Sequence, residues 1–148
     1  DTKVVTNKKI QINQAEQKRI NILILGVGGG SHEGPNLTDT IIFASIDPKT
    51  KKVTLISIPR DLWIPEINAK INSAYIYGEE KQKDGGLLLA KSIVGKVVGQ
   101  DVDYAIKIDF SGFVKFKQNG ENEKNLSLED SNITKFKKFP PDDKIAIY

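Results

Sequence analysis

The stretch INILILGV, Ile20–Val27, restricts the fold of this chain more than any other passage. Apart from Asn21 it is an unbroken apolar run, and glycines follow it directly. A strand with one wet face alternates apolar and polar residues. A continuous run has no wet face, so it needs cover on both sides of its sheet. It is also far shorter than the roughly 20 apolar residues that cross a bilayer. Together with the element order β, β-β, α, β along the chain, this suggests an α/β fold: a mixed central β-sheet flanked by helices on both faces.

The remaining segments agree with that layering. DTIIFASI (Asp39–Ile46) and KVTLISI (Lys52–Ile58) read as two strands joined by DPKTK, a proline-containing turn of hairpin length. NAKINSAYIYGEE predicts a short helix or an ordered loop, and KQKDGG (Lys81–Gly86) a turn. In GLLLAKSIVGKVVG, helical spacing puts Leu87, Ala90, Val94, Val97 and Val98 on one face, and Gly99 is the stop. DYAIKIDF (Asp103–Phe110) is a further strand, and KIAIY (Lys144–Tyr148) has the composition to close a sheet edge. Residues 1–19 read as an N-terminal extension to a single domain over 20–148, which becomes polar and turn-rich from Lys117 and reads as incomplete or gapped after about residue 115.

At 148 residues the chain is long enough to bury a real core. Its net charge of +3 comes from lysines spread along the sequence, which suits either a polyanionic or membrane-surface neighbour or a plain solvated surface. The absence of cysteine excludes disulfides and thiol nucleophiles. The chain starts at Asp1 and contains no methionine, so it reads as an excised piece whose native start, a signal or membrane anchor, has been removed. GVGGG lacks the Lys-Ser/Thr pair and the spacing of nucleotide-binding glycine loops. Basic and aromatic residues interleave only in FVKFK and KFKKF, which read as edge or surface segments, so no nucleic-acid partner is expected.

The candidate chemistry lies where the second hairpin strand ends in Pro59, Arg60 and Asp61. Proline fixes the exit from the strand, and the carboxyl edge of an open α/β sheet is where such folds place ligands. The chain has two arginines, Arg19 and Arg60, against twenty lysines. A guanidinium presents a planar fork that matches two phosphate oxygens, whereas an ammonium is a point charge. Arg60 therefore reads as an oxyanion-gripping residue, with a surface Arg60–Asp61 pair as the alternative. Asp39 opens the preceding strand, where a carboxylate can hold Mg²⁺ or simply cap a turn. His32 and Glu33 stand in the neighbouring glycine-rich loop.

Four stretches, NILILGV, DTIIFASIDPKTKKVTLISIPRDLWIP, AKINSAYIYG and DYAIKIDFSGFVK, resemble in order and spacing the extracytoplasmic domain of the LytR-CpsA-Psr family. The likeness runs from Ile20 to Lys115. It implies a core sheet between helices and a membrane-anchored enzyme of the cell envelope. Such an enzyme is a phosphotransferase that attaches glycopolymers (teichoic acid, capsule or similar) to peptidoglycan from polyprenyl-pyrophosphate carriers. By motif position, Asp39 is implied as a ligand of Mg²⁺ (or Mn²⁺), Arg60 as the contact to the pyrophosphate, Asp61 as its companion in PRD, and Lys70 of KIN as a basic residue near the phosphates. The helix Leu87–Val98 could help line a slot for the polyprenyl tail.

The chain departs from the family pattern in three places. Gly28, Gly29 and Gly30 stand where an aspartate often supplies a second metal ligand, with His32 or Glu33 as conceivable substitutes. Leu37 stands where an arginine is common. No arginine follows Arg60, although the family places several further along. A non-catalytic lipid- or glycan-binding homologue is therefore the alternative reading, and a nucleic-acid-binding regulator the third.

Overall fold

The computed structural model describes residues 18–28, 36–110 and 133–140, and the fold is built from these. In chain order they form β1 (Ile20–Val27), β2 (Thr38–Ile46), β3 (Val53–Ser57), β4 (Trp63–Ile64), β5 (Ala69–Lys70), α1 (Ala74–Lys81), α2 (Gly85–Val98), β6 (Tyr104–Asp109) and β7 (Ile133–Lys138). Short 3₁₀ turns at Pro65–Ile67 and Ile71–Ser73 flank β5. Five strands make one sheet in the spatial order β3-β2-β1-β6-β7, and β4 and β5 form a separate ribbon. β1 is parallel to β6, while β1–β2, β2–β3 and β6–β7 are antiparallel. The sheet is thus mixed, with the apolar run at its centre.

The parallel β1–β6 pair requires a long crossover, and α1 and α2 lie within it. Leu23 and Leu25 of β1, Ile41 and Phe43 of β2 and Ala105 of β6 share one core with Ala74 and Tyr75 of α1 and Leu89, Ile93 and Val94 of α2. Each fully buried leucine there contributes about 1.5–3 kcal/mol relative to exposure. The alternate residues Ile22, Ile24, Ile42 and Ile106 point to the other side of the sheet and are half-buried. Both described helices lie on the first side, and among the described residues no helix covers the other. Outside the described residues lie His32, Glu33, Gly29 and Gly30, the segments FVKFK and KIAIY, and the N-terminal extension apart from Lys18 and Arg19. KFKKF, expected at an edge, lies in and just after the outer strand β7.

Three local readings need adjustment. The AKINSAYIYG segment divides into β5, a 3₁₀ turn and α1 instead of forming one helix or loop. The turn after α1 is shorter than KQKDGG, because Gly85 and Gly86 already belong to α2. A side chain at Gly85 would strike the carbonyl of Gly78, and one at Gly86 would strike the Tyr75 ring. These glycines therefore mark the close approach of two helices. Finally, Val97 is exposed, while Val94 and Val98 of the same helix pack on the core. Gly99 closes the helix as expected, at φ 70°, with its N–H donating to the Gly95 carbonyl.

Away from the site, the other arginine has a structural task. Arg19 Nε donates to Ser45 Oγ at 2.7 Å and its NH2 to the Ser45 carbonyl at 3.0 Å. Ser45 Oγ donates to the buried Asn21 Oδ1 at 2.7 Å, and Asn21 Nδ2 to the Asp101 carbonyl at 2.7 Å. The fork of one guanidinium so satisfies a polar chain linking β1, β2 and the start of β6.

Candidate functional site

Strand register brings the first two site residues together. β2 pairs with β3 from Ile46↔Val53 to Ile42↔Ser57, and Ile58 N–H donates to the Ile41 carbonyl at 2.9 Å. Continued by two residues, that register sets Asp39 opposite Arg60. Their side chains meet there, with Arg60 NH1 3.3 Å from Asp39 Oδ1. The hairpin turn between the strands thus determines which carboxylate faces the guanidinium. Asp47 fixes that turn by accepting from the Lys49 N–H at 2.9 Å and the Thr50 N–H at 3.4 Å.

The segment after Pro59 is pinned by its backbone. Leu62 N–H donates to the Pro59 carbonyl, Asn72 N–H to the Arg60 carbonyl and Ile71 N–H to the Leu62 carbonyl. Thr38 Oγ1, next to Asp39, donates to the Asn72 carbonyl at 3.3 Å. The β4–β5 ribbon, pairing Trp63 with Lys70, turns the chain back on itself. That return puts Lys70 Nζ 3.0 Å from Asp61 Oδ1, while Arg60 Nε lies 3.9 Å from Asp61 Oδ2. The order Asp39, Arg60, Asp61, Lys70 is therefore an alternating row of charges at the strand ends. All four residues singled out in the sequence are gathered in one place.

The electrostatics follow from that row. The hydrogen bond and charge of Lys70, helped by Arg60, hold the Asp61 carboxyl below its ordinary value against a small effect of burial. Asp61 is then an ionised group that orients two cations. Arg60 keeps 55% of its side chain exposed and Lys70 the same fraction, so both retain donors facing solvent. Among the described residues no group of three or more His, Cys, Asp and Glu side chains converges on a metal position. Magnesium is commonly held by one or two carboxylates plus phosphate oxygens and water. The hard, 35%-exposed oxygens of Asp39 fit that donor chemistry.

A groove of about 290 Å³ runs between the β4 segment and α2, lined by Leu62, Trp63, Ile64, Pro65, Ile93 and Val97 together with Glu66 and Lys96. A second cluster lay outside the sequence reading. Lys135 of β7 bridges Glu79 of α1 at 3.1 Å and Asp84, between the helices, at 3.0 Å. Burial and then the Glu79 carboxylate push the Tyr75 hydroxyl up to about 12. Lys107 lies over the Tyr75 ring at 4.9 Å, and burial lowers its pKa. No local motif announces this cluster, because it joins residues from α1, β6 and β7 that are far apart in sequence.

The LytR_cpsA_psr family model matches residues 1–117. The chain belongs to the LytR_cpsA_psr family. Among curated relatives it is 34% identical over 113 residues to the polyisoprenyl-teichoic acid–peptidoglycan teichoic acid transferase TagU of Oceanobacillus iheyensis, covering 72% of this chain and 34% of that protein. It is also 34% identical over 100 residues to the regulatory protein MsrR of Staphylococcus aureus, covering 66% and 28%. The crystal structure of Bacillus subtilis TagU superposes with a TM-score of 0.50 at 28% identity, covering 65% of this chain and 37% of that one. The mixed sheet with its helices is therefore the family fold. The chain spans about a third of the length of these relatives.

Proposed function

We propose that this LytR_cpsA_psr chain acts in cell-envelope assembly as a phosphotransferase, passing a glycopolymer from a polyprenyl-pyrophosphate carrier to peptidoglycan outside the cytoplasmic membrane. One observation carries the reading: the Arg60 guanidinium stands at the sheet edge between Asp39 and Asp61, with Lys70 beside it. In the transfer, an acceptor hydroxyl of peptidoglycan bonds to the glycan-side phosphorus and gives up its proton. The bond from that phosphorus to the polyprenyl phosphate breaks, and negative charge collects on the departing phosphate. Fixed cations at that point stabilise the transition state more than the ground state. Arg60 supplies a two-pronged donor, and Lys70 a second charge. Asp61, held ionised, orients both. Asp39 is the residue that would hold Mg²⁺ or Mn²⁺, and the bound ion supplies further charge neutralisation at the phosphate oxygens. The groove from Leu62 to Val97, whose lining is apolar except for Glu66 and Lys96, gives part of an isoprenoid tail a place to lie.

Gly28, Gly29 and Gly30, standing where the family often carries an aspartate, favour a second reading, a homologue that binds the lipid-linked glycan without transferring it. Among the described residues no helix is long and apolar enough to cross a membrane. The test is thermal unfolding with farnesyl pyrophosphate, with and without Mg²⁺. A rise in Tm that requires both is expected, and no rise refutes both readings. Incubation with lipid-linked glycan and peptidoglycan then separates them, since transfer occurs only under the first.

A further inference from the structure

β3 is an edge strand among the described residues, and all five of its residues are exposed. Val53 and Leu55, at 55% and 64%, lie on one face and Ile56, at 42%, on the other. Exposed apolar edges of this kind invite pairing with another strand. The hydrogen-bond phase shows which backbone groups remain to be paired. Ile58 N–H donates to Ile41 and Asp47 N–H donates to Lys52, so the even-numbered residues of β3 are the ones that bond to β2. Antiparallel ladders alternate, and the N–H and C=O groups of Val53, Leu55 and Ser57 consequently point to the open side.

We infer that β3 pairs antiparallel with β3 of a second copy of this chain, about a two-fold axis at Leu55. Of the neighbouring registers, this one satisfies every outward group. It pairs Val53 with the partner's Ser57 and Leu55 with the partner's Leu55. A shift in one direction sets Val53 against the partner's Pro59, which has no N–H. A shift in the other sets Ser57 against the partner's Lys51, already in the turn at φ 61°. Charge favours the same arrangement. The lysine-rich turn, with Lys49, Lys51 and Lys52, then lies along the partner's strand end, where Asp61 is 61% exposed. Turn lysines of each copy so lie near the anion site of the other. This last step rests on the proposed function; the pairing itself does not.

Because the chain has no cysteine, single-cysteine variants report the pairing directly. Oxidised Leu55→Cys is expected to form a covalent dimer. Val53→Cys and Trp63→Cys, exposed but off the axis, are expected to stay monomeric. Leu55→Pro deletes only an outward N–H and should make the protein monomeric in sedimentation equilibrium. Leu55→Lys, which sets like charges on the axis while keeping the backbone donors, should do the same and serves if the proline variant does not fold. Lys49→Ala should retain the dimer and weaken inorganic pyrophosphate binding about tenfold, the scale of one charged hydrogen bond. A wild-type protein that is monomeric at all concentrations, or equal cross-linking of all three cysteine variants, overturns the pairing. A dimer that binds pyrophosphate unaffected by Lys49→Ala overturns the sharing of the site. A dimer that binds no pyrophosphate at all overturns that sharing and the proposed function together, and leaves the pairing standing.

Discussion

Replacing Arg60 separates a binding role from a structural one. Its closest ion pair, to Asp39 at 3.3 Å, joins a side chain that is 55% exposed to one that is 35% exposed. Exposed pairs of this kind contribute about 0.2–1 kcal/mol, because solvent screens them and two flexible side chains must be ordered. For a chain of this size that corresponds to a Tm change of at most about 4 °C. The loss of a fork holding phosphate is larger: each hydrogen bond between charged groups is worth about 1.5–3 kcal/mol. Arg60→Ala should therefore raise the Kd for farnesyl pyrophosphate about a hundredfold or more, as two such bonds imply, while the fold survives. Arg60→Lys should fall between, since it keeps the charge and loses the planar fork. Calorimetric titration beside circular-dichroism melts reads both quantities. A fall in Tm beyond about 10 °C would make Arg60 a fold-holding residue. Unchanged affinity in Arg60→Ala would remove the site.

Other perturbations test the scaffold that places this site. Gly78→Ala puts a methyl group against the backbone of Gly85 and Gly86, which cannot swing aside, so urea denaturation should show a loss of at least about 1–3 kcal/mol from overpacking. Ser45→Ala leaves the buried Asn21 Oδ1 without its donor, and a similar loss of about 1–3 kcal/mol is expected in the same assay. Lys135 holds the Glu79 and Asp84 carboxyls below their ordinary values of 4.5 and 3.8; for Glu79 its hydrogen bond acts with that of Tyr75 against burial. Carboxyls depressed by folding stabilise above their unfolded values and lose that stabilisation as pH falls through their folded ones. Melting temperature should accordingly drop on acidification below about pH 4.5, and Lys135→Met should flatten the drop. An equally steep acid profile in the variant would show that the bridge contributes nothing.

Much of this arrangement was legible in the sequence, and the reason is locality. The central strand is visible in INILILGV because apolar residues on both faces leave no polar period to disguise it. The hairpin is visible because turn residues and strand lengths fix the register, and that register sets Asp39 across from Arg60. Gly99 marks the end of α2 because only a left-handed residue closes it. Less was legible from Trp63 to Ala74, where very short elements carry no period. The sequence therefore did not reveal the β4–β5 return that delivers Lys70 to Asp61 except through the family resemblance. Gly85 and Gly86 read as turn residues, since nothing local says that a second helix passes so close.

The chain by itself determined the strands, the hairpin and one arginine set rigidly behind a proline, because each depends on neighbours a few residues away. Tertiary structure alone decided that Lys70 orients with Asp61, that Lys135 ties β7 to both helices, and that β3 is an edge strand among the described residues. Those outcomes depend on which distant segments share an edge or a layer. That sharing is set by the joint burial of Leu23, Ile41, Leu89 and Ala105, which no single stretch of sequence contains.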